Sequence, residues 1–215
     1  MELAQQTSRH DDPLSRDRIA QRLQRPAPPT DADAWHVTHL SADTPAVAAA
    51  VLVPLINRQS GIQLLFTHRT SHLANHPGQI SFPGGRVEGG DASREDAALR
   101  EAEEEVGLPR AAVDVLGRLP DYEIPSGFRI TPVVGWIAPP FVLALNPREV
   151  VEAFEAPLAH FLDPGNYQQR SYDYSGRHRD YLAVPYRGRF IWGATAGMLY
   201  SLCRALAAER GEPLL

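Results

Sequence analysis

Three carboxylates, Glu101, Glu104 and Glu105, are the residues best placed to do chemistry in this 215-residue chain. They lie in the stretch FPGGRVEGGDASREDAALREAEEEVGL, residues 82–108. At about 100° per residue, Glu105 falls ~40° from Glu101 and Glu104 ~60° to the other side, so a helix would put all three on one face. An isolated run of acidic residues is ordinarily a solvated surface. Here the placement opposes local physics. Like charges three and four apart repel by about 0.2–0.5 kcal/mol per pair, and the macrodipole disfavours anions at a helix C-terminus. Anions gathered against both effects point to a divalent cation. Hard oxygen donors favour Mg²⁺ or Mn²⁺, with water completing the coordination.

The segment around these residues specifies the helix that must hold them. Ser93 is a suitable N-cap with Asp96 three residues on, and Glu95 adds negative charge to the first turn. Ala97, Ala98, Leu99 and Ala102 favour helix, and Gly107 can close it in a left-handed conformation. Leu99, Ala102 and Val106 form a narrow apolar stripe toward a core, whereas Glu103 points away from the other carboxylates.

The same residues resemble the Nudix box, G-x5-E-x7-R-E-U-x-E-E-x-G-U with U aliphatic. Arg100, Glu101, Ala102, Glu104, Glu105, Gly107 and Leu108 match its second half position by position. The first half departs: Ala92 stands where the box has Glu, and Gly85 comes one residue early. A one-residue insertion, with Asp91 in place of the Glu, repairs both. The resemblance implies a Nudix-like α/β/α sandwich with a mixed β-sheet, and a metal-dependent hydrolase of nucleoside diphosphates linked to another moiety. Glu101 and Glu105 are then the first metal ligands, Glu104 is a third ligand or orients water, and the carbonyl of Gly84 completes the shell. Glu101 and Glu104 carry the catalytic roles, and Arg100 pairs with a neighbouring carboxylate to hold the helix. A further carboxylate from a distant loop would come from Glu149 or Glu123.

Upstream, LLFTHRTSHLANHPGQISFPGG (residues 64–85) resembles the signature of coenzyme A pyrophosphatases, L-L-T-x-R-[SA]-x3-R-x3-G-x3-F-P-G-G. Leu65, Thr67, Arg69, Gly78, Phe82, Pro83, Gly84 and Gly85 align, while Phe66 and Thr70 depart and Ala74 replaces the second Arg. His72 or His76 could compensate. The resemblance implies hydrolysis of coenzyme A and its thioesters at the pyrophosphate, giving 3′,5′-ADP and 4′-phosphopantetheine. Arg69, Gly78, Phe82 and Gly85 would contact the substrate. Another nucleoside diphosphate derivative, such as ADP-ribose or a dinucleoside polyphosphate, is the alternative substrate. A catalytically silent nucleotide sensor is the alternative from another class, and the intact Glu set speaks against it.

Composition narrows the classes further. The chain is 43% hydrophobic and 22% charged, ordinary for a globular domain. Its net charge of −5 argues against a nucleic-acid backbone as partner. All 21 basic residues are Arg, which excludes a Schiff-base lysine and a P-loop G-K-[ST]. Cys203 is the sole cysteine, so neither an intrachain disulfide nor a Cys-based zinc cluster can form. No stretch approaches the ~20 apolar residues of a membrane span, and the polar N-terminus does not read as a signal peptide. A cytoplasmic protein acting on a small molecule is expected, without membrane partners; a homodimer is compatible with the sequence.

Two regions follow from the patterning. Residues 1–44 read as a short helix over 14–25 and a Pro-rich connector; residues 45–210 read as the hydrolase domain. Within the latter, 49–56 and 62–69 form an expected hairpin, with later strands at 113–119, 131–138 and 149–154. Two more strands are expected in 166–192, and an amphipathic helix over 194–208 closes the domain. Residues 121–130 are expected as a loop folding over the site.

Overall fold

The computed structural model describes residues 14–25, 46–72, 77–174 and 177–207. Ala74 and His76, both weighed in the substrate signature, lie outside the described residues. The apolar run after Pro45 becomes the long strand β1 (Val47–Arg58), followed by β2 (Gly61–Arg69) in the expected antiparallel hairpin. Two short strands, β3 (Ile80–Ser81) and β4 (Gly84–Arg86), flank the Phe82-Pro83 turn. Then come helix α2 (Arg94–Val106), with α1 (Arg16–Leu23) before the first strand, and strands β5 (Val113–Arg118), β6 (Tyr122–Glu123) and β7 (Phe128–Ile137). The described residues end with β8 (Val150–Pro157), α3 (Leu158–Phe161), β9 (Gln168–Tyr174), β10 (Arg177–Tyr186), β11 (Arg189–Trp192) and α4 (Ala194–Ala207).

The central sheet is mixed. β1 runs parallel to β7 and antiparallel to β2 and β4, giving the order β3-β2-β1-β7-β5 with β8 added on β2. Because side chains alternate across a strand, β1 feeds two cores. Ala49, Val53 and Leu55 face one side, and Ala50, Leu52 and Ile56 face the other. Helix α2 covers the second face through Ala97, Ala98, Ala102 and Val106. Helices α1 and α4 cover the first. This is the α/β/α sandwich, and it explains why β1 is an unbroken apolar run rather than an alternating one.

Residues 121–130 differ from the expected loop. Tyr122 and Glu123 pair with Ile130 and Arg129, so the segment is a tight hairpin closed by Gly127 at φ 90°. Backbone bonds across the turn, from the Ile124 N–H to the Phe128 carbonyl and from the Gly127 N–H to the Ile124 carbonyl, hold it to β7.

Helix α1 packs into the first core. Ile19 is fully buried, Arg22 donates to the Leu206 carbonyl at 2.6 Å, and Leu23 touches Gly117. Ile19→Ala should therefore lower unfolding stability by about 2–4 kcal/mol, the usual penalty for a large-to-small core change. Denaturant melts would show this, with turnover of the folded fraction unchanged.

Candidate active site

Helix α2 forms as its sequence dictates. Ser93 accepts from the Asp96 N–H at 3.2 Å, and Asp96 in turn accepts from the Ala92 N–H at 3.0 Å. Gly107 closes the helix at φ 67°. The awkward C-terminal end is handled by tertiary structure: the N–H groups of Ala144 and Asn146 donate to the carbonyls of Val106 and Glu105 at 2.8 and 2.9 Å. Those carbonyls no longer face the carboxylates unsatisfied.

The three glutamates occupy different environments. Glu105 is 1% exposed; one oxygen accepts from Arg69 Nη1 at 3.0 Å and the other from the Gly84 N–H at 3.3 Å. Glu101 is largely buried, and its Oε1 accepts from Arg100 Nη1 at 3.0 Å. Glu104 is 55% exposed and accepts from the same nitrogen at 3.1 Å. Glu103 is exposed and pairs with Arg110, away from the others. Burial pushes the Glu105 carboxyl up to about 7, opposed by Arg69 and by the Gly84 N–H and reinforced by Glu101 and Glu149. Burial also raises Glu101, against Arg100, with Glu104 and Glu149 adding repulsion.

Arg100 organises the loop before the helix. Its Nε and Nη2 donate to the two oxygens of Asp91 at 2.9 and 3.1 Å, and Nη2 reaches the Arg86 carbonyl at 3.0 Å. Asp91 also accepts from the Glu88 N–H at 2.7 Å. The Arg100 guanidinium, with that N–H, holds the Asp91 carboxyl below the usual carboxylate range. Asp91 thus stands where the inserted alignment places it, opposite the box Arg.

The glycine pair sits between sheet and helix. Gly84 and Gly85 pair with Val51 and Ala50 in β1. A Cβ on Gly84 would lie 2.6 Å from the Val51 Cα, and one on Gly85 would lie 2.6 Å from the Glu101 Cδ. The Glu101 carboxylate thus occupies the space that a side chain at Gly85 would need.

The remaining expected substrate contacts divide. Arg69 reaches the site, but in the form of a partner for Glu105. Gly78 is exposed at φ 66° and closes the turn back to the Thr70 carbonyl. Phe82 does not face a cleft: it is 1% exposed, its ring stacked on Phe66 with centroids 5.1 Å apart, and its contribution is to core packing. Of the two further carboxylates, Glu123 pairs with Arg129 at 2.7 Å on the β6–β7 hairpin. Glu149 is close enough to Glu101 and Glu105 to repel both. Glu149, expected as the first residue of a strand over 149–154, instead stands in the turn before β8, which the Asn146-Pro147 dipeptide begins.

The chain matches the NUDIX domain model over residues 46–174. It is also 46% identical over 163 residues to the uncharacterized Nudix hydrolase NudL of Escherichia coli K12, covering 75% of this chain and 83% of that one. The chain belongs to the Nudix hydrolase family. A NudL of Cronobacter sakazakii is 44% identical over 164 residues, covering 76% and 83%. Among solved structures, the MutT protein of Methanosarcina mazei Go1 aligns with a TM-score of 0.45 at 23% identity over 57% of this chain and 84% of that one. Nudix hydrolases generally use divalent metals such as Mg²⁺ or Mn²⁺.

The donors of this Nudix chain suit such an ion in kind. They are carboxylates, they repel one another, and Glu105 is buried where an uncompensated charge is costly. They are not gathered in advance: among the described residues no three His, Cys, Asp or Glu side chains converge with metal-binding geometry. Arg69 and Arg100 hold the oxygens instead, so an incoming cation competes with two guanidinium groups. A carboxyl raised above its unfolded value of about 4.3 contributes stability below that value and loses it as pH rises through the folded value. Metal-free protein should therefore lose stability as pH rises from about 5 to above 7. Mg²⁺ or Mn²⁺ should raise the Tm more at pH 8 than at pH 5, because above 7 the ion no longer displaces a proton from Glu105. Thermal melts at both pH values, with and without the ion, measure the difference. No described helix is long and apolar enough to cross a membrane.

Proposed function

We propose that this chain hydrolyses the pyrophosphate bond of a nucleoside diphosphate derivative, with coenzyme A and its thioesters as substrates. The observation that carries the reaction class is the set of Glu101, Glu104 and Glu105 on one face of α2 beside the Gly84–Gly85 backbone. The chemistry a divalent ion would supply there, when bound, is neutralisation of charge on the phosphate oxygens and a lowered pKa for water. Glu101 and Glu105 would hold it, with the Gly84 carbonyl; Glu104, exposed and tethered to Arg100, would be a third ligand or orient the water. Asp91 and Arg100 fix the loop and the helix relative to each other. Glu149 adds a carboxylate from outside the helix.

The coenzyme A assignment rests on Leu65, Thr67, Arg69, Gly78 and the Phe82–Gly85 run. Arg69 is the phosphate-binding candidate, and its tie to Glu105 means that the same guanidinium would serve ligand and substrate in turn. Residues 45–210 are the proposed catalytic unit, with residues 1–44 contributing stability through α1. In an assay with Mg²⁺ and with Mn²⁺, coenzyme A should exceed ADP-ribose, NADH and diadenosine polyphosphates in kcat/KM by at least about tenfold, a difference of ~1.4 kcal/mol in transition-state binding. Products should chromatograph as 3′,5′-ADP and 4′-phosphopantetheine. A better rate on any of the other three substrates would leave the hydrolase and remove the coenzyme A assignment.

A further inference from the structure

The segment leading into β8 is fastened at both ends. One end is tied to the last turn of α2 through the Ala144 and Asn146 N–H groups. The other is tied to the end of β2, where the Thr70 N–H donates to the Glu149 carbonyl at 2.9 Å and the Thr70 hydroxyl to the Arg148 carbonyl at 3.2 Å. Asn146 stands at the crossing. Its main-chain N–H holds the Glu105 carbonyl, its carbonyl accepts from the Glu149 and Val150 N–H groups at 3.0 and 2.9 Å, and its Oδ1 accepts from the Arg148 N–H at 3.1 Å. That last bond is an Asx turn, the local closure Asn favours before a Pro. The remaining side-chain group, Nδ2, donates to Glu149 Oε1 at 3.0 Å.

The main-chain bonds alone suffice to cap the helix and close the turn. The amide donor is left with a separate job. We infer that Asn146 is a positioning residue: it aims the Glu149 carboxylate at the Glu101–Glu105 face and thereby sets the affinity of the site for its divalent ion. This rests on the metal-dependent reading given above. The physical case is that Glu149 sits on a turn and carries like charge to its two neighbours, so repulsion would swing it toward solvent. One neutral donor, itself fixed by main-chain bonds to α2, opposes that swing and ties the carboxylate to the same helix that bears the other ligands. Groups that orient a ligand in this way commonly change metal affinity by about 10–100-fold when removed.

The test is Mn²⁺ binding to substrate-free protein, read from the free-ion EPR signal in an equilibrium titration. Four proteins are compared: wild type, Asn146→Ser, Glu149→Gln and the double variant. Serine retains a hydroxyl to accept from the Arg148 N–H, leaves the main-chain bonds in place, adds no charge and cannot reach Glu149. Asn146→Ser should weaken Mn²⁺ binding about tenfold when Glu149 is present and less than twofold in the Glu149→Gln background, since the residue acts through Glu149. An unchanged affinity overturns the inference. So does an equal loss in both backgrounds, which would mean that Asn146 acts only by capping α2. If Asn146→Ser does not fold, Asn146→Asp keeps shape and acceptor while removing the donor, and the same dependence on Glu149 is required. Wild-type protein that binds Mn²⁺ and cleaves a diphosphate while Asn146→Ser binds as wild type refutes the role of Asn146 alone. Wild-type protein that binds no Mn²⁺ refutes both readings.

Discussion

Glu105→Gln should abolish turnover, lowering kcat/KM by at least about a thousandfold, or more than ~4 kcal/mol of transition-state stabilisation, while the protein stays folded. The change is isosteric, and Gln can still accept from Arg69 at the position where Glu105 receives Nη1 at 3.0 Å. What it removes is the charge, together with the acceptor for the Gly84 N–H, which would then face the amide NH2. Glu105 is the most buried of the site carboxylates, so its charge acts on a bound cation with little screening by water. Exposed Glu104 should be the more tolerant of the same change, since its interactions are screened. Steady-state kinetics with saturating Mg²⁺ or Mn²⁺, alongside a melt of each variant, makes the measurement. A Glu105→Gln enzyme within tenfold of wild type would remove Glu105 from the metal site.

Gly85→Ala should cost about a hundredfold in kcat/KM with little loss of stability, whereas Gly84→Ala should fail at the level of folding. The two adjacent glycines differ in what an added methyl meets. At Gly85 it would overlap the Glu101 carboxylate, the far end of a flexible side chain that can rotate away. Rotation relieves the overlap but displaces the carboxylate by the order of 1 Å, enough to cost about 10²-fold in a positioned site. At Gly84 the methyl would lie 2.6 Å from the Cα of Val51, in the middle of β1, where nothing can give without breaking the strand pairing. Melting temperatures and kcat/KM of the two variants, measured together, separate the outcomes. A Gly85→Ala protein that is destabilised as much as Gly84→Ala would show that Glu101 is held more rigidly than its single Arg100 contact implies.

Much of the molecule was legible in the sequence because local chemistry carried it. Ser93, Asp96 and Gly107 set both ends of α2, since capping bonds and a left-handed closing residue are properties of neighbours in the chain. The 3.6-residue period placed Glu101, Glu104 and Glu105 on one face, and the apolar run of β1 announced a strand buried on both sides. The resemblance to the Nudix box put Asp91 in the place of its Glu and implied a carboxylate partner for Arg100; the fold brings those two residues together.

Tertiary structure decided what the spacing left open. The spacing put three carboxylates on one helix face; the fold buried Glu105 against Arg69 and Gly84, largely buried Glu101 and left Glu104 in water. It turned Phe82 into the core against Phe66, a choice set by a residue sixteen positions earlier in another strand. It bound Arg69 to Glu105 across 36 positions, and brought Glu149 and Asn146 to the end of α2. None of these contacts has a period or a motif. Each arises where elements distant in sequence meet, and there the need to satisfy buried charge and buried backbone groups, not local propensity, selects the partner.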